Sequence, residues 1–275
     1  MRVVSDSSSN VFEVEGLDYT SVPLKVMFGG REYVDEPGTD FEQMIHALHK
    51  QDGPSTTACP NVQEWLNAFE GADEVFGVTI SSGLSGSYEA ADMAARQYME
   101  ANPQAKAYIV DSLATGPFME LIIEELRRLS QAGETFERIR EAILEYRSRT
   151  RILYSLESLN NLANNGRVNA AVAKIAGALN INIIGHASEQ GTVEIIHRCR
   201  GQKKALHTLV QDMLDQGFAG GRLRISHTLN LSAAQKLRDL VLEKFPQADI
   251  VIRPNTGLCT YYADLGGLIL GYEVE

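Results

Sequence analysis

The residues that could do chemistry start with Ser81-Ser82-Gly83-Leu84-Ser85-Gly86-Ser87, set between an apolar run and a segment of helical period. At the carboxyl end of a parallel strand, such a loop turns the first N–H groups of the next helix toward an anion and adds hydroxyl donors. The same letters also let Ser85 or Ser87 serve only as a helix cap. Gly83-Leu84-Ser85-Gly86-Ser87 falls one residue short of the G-x-S-x-G nucleophile elbow, which would make Ser85 the nucleophile of an esterase. Its last glycine is absent. The downstream histidines His186, His197, His207 and His227 satisfy a triad by order alone.

Other segments carry weaker signals. Ser5-Asp6-Ser7-Ser8-Ser9 follows an apolar run, and Asp6 there could orient the hydroxyls around it or simply close a turn. Pro54-Ser55-Thr56-Thr57-Ala58-Cys59-Pro60 puts hydroxyls in a constrained loop before a helix containing Trp65, Leu66 and Phe69. Gly166-Arg167, after a short helix, could aim a guanidinium at a carboxylate or merely close a helix C-terminus. Arg198, Arg200, Lys203 and Lys204 form a compact basic cluster whose simplest reading is a solvated face.

The elements that must position these residues follow from hydrophobic period. The runs Arg2–Ser5, Val75–Ile80 and Ala107–Asp111 read as strands, separated by helical faces at Leu84, Tyr88, Ala91, Ala95 and Tyr98, and at Phe118, Leu121, Ile122, Leu126 and Leu129. Phe136, Ile139, Ile143 and Tyr146 make a third such face. That alternation predicts an α/β domain with a mainly parallel sheet over residues 1–149. From Arg151 the order becomes strand, two short helices, then strands at Ile181–His186 and Thr192–Arg200 joined by a Gln190-Gly191 turn, then a helix from Lys203 to Gln216. Strands without an intervening helix predict an α+β domain with a mixed or antiparallel sheet over residues 150–275.

Composition narrows the function. The chain of 275 residues is 44% hydrophobic and 22% charged, and 25 Lys+Arg against 36 Asp+Glu leave a net charge of −11. That balance argues against nucleic acid as a partner. Cys59, Cys199 and Cys259 are too widely spaced for a zinc knuckle or disulfide framework. The apolar start at Met1 is too short for a secretory signal, so the cytoplasm is the expected compartment. The stretch Ile175–Gly185 covers about half of a ~20-residue span, so no stable membrane insertion is expected.

Taken in order, Ser5-Asp6-Ser7-Ser8, Thr57-Ala58-Cys59-Pro60, Ser81 through Tyr88, Val110-Asp111-Ser112, Gly166-Arg167-Val168, Arg200 through Ala205, Ile225-Ser226-His227 and the glycine-rich tail resemble the DegV family along essentially the whole chain. The resemblance implies a two-domain binding protein with one long-chain fatty acid between the domains and no catalytic residue, metal or cofactor of its own. It implies that Thr56 or Thr57 and Ser82 hold the carboxylate, with Ser85 and the N–H groups around Gly83 shaping the seat. Asp6, Ser7, Arg167 and Tyr262 would form the supporting polar network. Some family members present the acyl carboxylate to a separate fatty-acid kinase subunit, which makes such a kinase a candidate partner. Two departures stand out. Thr57-Ala58-Cys59-Pro60 replaces the family's T-S-Q-P, and Tyr262 takes the place of a histidine common in the family's tail. Tyr262, or Tyr261 with a one-residue slip, is expected to donate a hydrogen bond toward the carboxylate or its Ser and Thr ligands.

A magnitude favours the lipid. About fifteen methylenes at roughly 0.8 kcal/mol each give a gross driving force of about 12 kcal/mol, which points to an acid of about sixteen to eighteen carbons. Two alternatives stand beside it: a serine esterase using Ser85, and an enzyme on phosphorylated metabolites with a fold like dihydroxyacetone kinase domains. The second would need basic groups or a metal beside the serine loop, and neither a P-loop nor an acidic pair is there.

Overall fold

The computed structural model describes residues 1–169 and 180–275. The chain opens with β1 (Arg2–Asp6), a short 3-10 helix (Ser7–Ser9), β2 (Asp18–Val22), β3 (Lys25–Phe28), β4 (Arg31–Val34), α1 (Phe41–Leu48) and β5 (Ser55–Ala58). Next come α2 (Val62–Phe69), β6 (Glu74–Thr79), α3 (Ser87–Ala101), β7 (Lys106–Asp111), α4 (Pro117–Gln131) and α5 (Phe136–Ser148). The second half runs β8 (Thr150–Leu156), α6 (Asn160–Asn164), β9 (Ile181–Ala187), β10 (Val193–Arg200), α7 (Gln202–Asp215) and β11 (Arg222–His227). It ends with α8 (Leu231–Leu242), β12 (Asp249–Pro254), α9 (Gly257–Ala263) and β13 (Leu268–Glu273). The second of the two short helices expected before β9 falls outside the described residues.

Sheet one is parallel in the order β2-β1-β6-β7. Alternation along β1 sends Val4 to the side of α2 and α3, where Trp65, Phe69, Ala91 and Ala95 bury it. Val3 goes to the opposite face with Phe118, Leu121 and Ile122 of α4. Leu84, expected as the first residue of the α3 face, stands instead in the loop, because the helix begins at Ser87. From β1 the chain leads to β2 on one side, while β6 lies on the other. The strand order therefore reverses beside β1, and the loops after β1, β6 and β7 gather at one rim, where open α/β sheets take their ligands.

Sheet two has the order β10-β9-β8-β13-β11-β12 and is mixed, with β11 and β12 parallel and the other pairs antiparallel. Ile152, Tyr154 and Leu156 of β8 face the first half of the chain, and Leu153 faces α7 and α8. Helix α4 is thereby trapped between the two sheets. Met119 and Ile123 are as buried as the expected stripe at Phe118, Leu121, Ile122, Leu126 and Leu129, which is what an inner helix requires. Gly271 of β13 permits the close approach, since a Cβ there would stand 2.5 Å from Phe118 N. Where α4 meets sheet two at its polar edge, Arg222, Arg224 and Arg253 pair with Glu125, Glu124 and Glu120.

A third sheet, β4-β3-β5, is antiparallel and covers α1 and α9 through Val26, Phe28, Met44, Ile45 and Tyr261. The segment around Ser55 and Thr57 is therefore strand, not the loop its Pro, Ser and Thr letters suggest, because β3 offers an edge to pair with.

Candidate functional site

Asp6 ends β1 and is fully buried. It accepts hydrogen bonds from Ile80 N at 2.9 Å, Ser87 Oγ at 2.7 Å, Ser8 N at 3.3 Å and Ser8 Oγ. Burial pushes its pKa above the ordinary carboxylate value, against the pull of these donors. The acid thus clamps the start of the serine loop and the first turn of α3 to β1. Ser87 is held by Asp6 and the N-cap position is Gly86, which has no side chain to cap α3; Ser85 Oγ takes only the first helical N–H, that of Ser87, at 3.3 Å. Ser7 accepts from Leu24 N at 2.9 Å. Gly116 N donates to Ser8 O at 2.8 Å and Ser81 N to Ala114 O at 2.9 Å, knitting the loops after the three strands into one rim.

Against this rim lies a cavity of ≈ 330 Å³, within the range of small-molecule sites. Its wall is mainly apolar, from Leu24, Ile80, Leu84 and Leu258 on one side and Ile152, Leu156 and Ile269 on the other. The polar lining includes Thr57, Ser85, Thr115, Arg167 and Tyr262. Ser85 Oγ accepts from Ser87 N at 3.3 Å, and its own O–H has no acceptor among the described residues. The Tyr262 hydroxyl lies 2.9 Å from Thr57 Oγ1. Arg167 is moored by Nε to Leu84 O at 3.1 Å and by Nη1 to Asn165 O. Among the described residues no carboxylate pairs with it and its Nη2 has no acceptor, so it brings an uncompensated cation to an apolar wall. Cys259 also lines the cavity, donating to Ser8 O at 3.3 Å, and burial pushes its thiol up to about 12.

Other sequence-derived candidates stand elsewhere. Strand alternation turns Thr57 to the cavity and leaves Thr56 exposed on the opposite side of β5. Ser82 is turned away to Asp111 at the end of β7, with Oγ donating at 2.5 Å and N at 3.1 Å. Gly83 abuts the β9–β10 turn, where a Cβ would meet Gln190 O at 2.5 Å. The same turn is latched by Ser81 Oγ donating to Gly191 O at 2.7 Å. Tyr261 is fully buried, bonded to Ser55 and Asn165. The elbow reading finds no support in the geometry. Ser85 has none of the positive φ that marks a strained turn, and among the described residues its hydroxyl makes no hydrogen bond to His186, which shares the cavity wall, or to any other histidine.

A family model described as the DegV family matches residues 1–272. The chain belongs to the DegV family. It is 38% identical over 278 residues to a DegV domain-containing protein of Streptococcus pneumoniae strain R6, an alignment covering 100% of this chain and 99% of that one. A DegV family protein from Eubacterium eligens, solved loaded with heptadecanoic acid, is 42% identical, with a TM-score of 0.97 over 100% of this chain and 99% of that one. The fatty acid kinase (Fak) B3 protein of Streptococcus pneumoniae, solved loaded with linoleic acid, is 36% identical with a TM-score of 0.97 and the same coverage. Among the described residues of this DegV chain, no helix is long and apolar enough to cross a membrane.

One site residue gave no sequence signal. Asp35, just past β4, is buried and accepts from Gly257 N at 2.8 Å and Leu258 N at 2.9 Å, holding the start of α9, the helix that carries Tyr262. Burial raises its pKa to about 6 from 3.8, more than its N–H and hydroxyl partners lower it. Between those values the folded DegV chain holds a proton that the unfolded chain releases, so this residue's contribution is full below about pH 4 and is lost as pH rises through about 6. The stability of the wild type relative to Asp35→Asn should fall by about 2 kcal/mol from pH 4 to pH 7, at about 1.4 kcal/mol per unit. Urea unfolding of both across that window tests it, and a difference that is flat or rises with pH refutes it.

Proposed function

We propose that this DegV protein is a non-catalytic carrier of one long-chain fatty acid, of about sixteen to eighteen carbons by the burial argument. The acid sits between a domain of residues 1–149 and one of residues 150–275. Its carboxylate meets Thr57, Ser85, Arg167 and Tyr262, and its tail runs along the Ile152, Leu156 and Ile269 wall. Ser82, Gly83, Asp6 and Ser7 back the head group by shaping the loops behind it.

The observation that carries the reading is Arg167, a half-buried guanidinium with no carboxylate partner among the described residues, in the wall of a mostly apolar cavity. A cation at an apolar wall is best met by an anion, and the apolar cavity beside it calls for that anion to bear a hydrocarbon tail. Hydroxyls at Thr57, Ser85 and Tyr262 supply further donors at the same end. The fatty acids carried by the Eubacterium eligens and Streptococcus pneumoniae proteins support the assignment. The second of these bears the name of a fatty acid kinase, which supports a separate kinase as the partner that receives the carboxylate. The cytoplasm, where its three free cysteines stay reduced, is the proposed setting.

Mass spectrometry of freshly purified, denatured protein should release a saturated or monounsaturated long-chain acid. Repeated preparations without lipid that also fail to take up added palmitic acid would sink the proposal. Tyr262→Phe should cost about 0.5–1.5 kcal/mol of fatty-acid affinity, the net value of one hydrogen bond. Since a tyrosine does not titrate near neutrality, affinity should change little from about pH 6 to 8. Titration calorimetry across that range checks both points. A steep gain in affinity toward the acid end contradicts the role given to Tyr262.

A further inference from the structure

We propose that Tyr154, together with the two small residues Gly185 and Ala187 on the neighbouring strand, sets which acyl tails fit, an inference that rests on the lipid reading above. Tyr154 stands in the middle of β8, between Ile152 and Leu156, and all three line the cavity. It is the bulkiest of the three. Its hydroxyl donates at 2.7 Å to the backbone oxygen of Glu194, which is two strands away on β10.

To reach that acceptor the side chain must cross β9. It crosses at Gly185, its partner in register. A Cβ at position 185 would fall 2.2 Å from the Tyr154 hydroxyl and 2.2 Å from Glu194 O, so the trough that takes the side chain exists only because the residue is glycine. The ladder between β9 and β10 also shifts register between Ile195 and His197, next to the crossing point. A buried phenol keeps its hydroxyl bonded, so the ring is pinned against the sheet instead of swinging into the cavity. Two residues along the same face of β9, Ala187 lines the cavity with only a methyl group. The sheet side of the tail space is thus a fixed ring beside a shallow step. Neither residue belongs to the head-group set, so tail preference is separable from carboxylate binding.

The test uses full-length wild type, Tyr154→Leu and Ala187→Leu, each stripped of lipid and offered an equimolar mixture of myristic, palmitic, stearic and arachidic acids, with bound acids quantified by mass spectrometry. Tyr154→Leu removes the ring and should raise the stearic-to-palmitic ratio by up to roughly tenfold, the value of burying two more methylenes. Ala187→Leu fills the step and should lower that ratio by a similar factor. Ala187 has no ring or hydrogen bond of its own to lose, so it carries the test alone should Tyr154→Leu fail to fold. An unchanged or reversed ratio in every folded variant, with lipid still bound, overturns this assignment and leaves the carrier reading standing. A wild type that takes up none of the four acids overturns the carrier reading itself.

Discussion

Replacing Arg167 by methionine should weaken binding of a long-chain fatty acid on the order of a hundredfold, because removing one partner of a buried, hydrogen-bonded charge pair costs about 2–5 kcal/mol. Methionine keeps the hydrocarbon length of the arginine stem, so the loss reports the guanidinium and not a hole in the wall. The decisive control is the ligand. A fatty alcohol of the same length has no charge for Arg167 to meet and should bind wild type and variant alike. Arg167→Lys should recover only part of the loss, since an ammonium cannot reproduce the planar anchorage on Leu84 O and Asn165 O. Calorimetry with both ligands on all three proteins settles the matter. Equal losses for acid and alcohol would show that Arg167 acts on the shape of the cavity alone.

The second large effect concerns stability. The Arg224 side chain is 5% exposed and grips Glu124 of α4 through two bonds of 2.8 Å, with a third to Asp249 at 2.9 Å. Arg224→Met should cost about 3 kcal/mol, because Glu124 is left half-buried with only the more distant Arg222, at 3.6 Å. The same reasoning makes the double change Arg224→Met with Glu124→Leu much milder than the single one, since the orphaned charge is then gone. Chemical denaturation of the two variants distinguishes an orphaned charge from a lost contact. A double variant as unstable as the single one would show that packing, not the charge, was at stake.

How much of this was legible in the sequence depends on whether a residue's neighbours are local. The strand, serine loop and amphipathic helix from Val75 to Tyr98 announce one another along the chain, so the rim position of Ser81–Ser87 could be read directly. The Gln190-Gly191 turn was equally plain between two apolar runs. Thr56 and Thr57 could not be told apart, because which of them faces inward depends on β5 pairing with β3, a strand of only four residues with little periodicity of its own. Ser82 looked as good a donor as Ser85. Only the approach of Asp111, from a strand that is neighbouring in space, turns its hydroxyl away from the cavity. Asp35 lay in a plain acidic run, and its burial is created by α9, more than two hundred residues later. Buried polar groups matched across such separations leave no mark on periodicity, since each half looks like an ordinary surface residue.

Among the described residues the six-stranded sheet ends in two strands, β10 and β12, each paired on one side only, and their residues bear on edge-to-edge association. On the outer strand β10, His197, Arg198 and Arg200 are exposed beside a register shift, and on the opposite outer strand β12, Arg253 and Pro254 are exposed. Unpaired backbone groups on an open strand invite a strand from another molecule. Charge, an irregular ladder and a residue without an N–H each make such pairing unfavourable. Exposed His197, Arg198 and Arg200 beside the register shift on β10, and Pro254 on β12, are features of this kind.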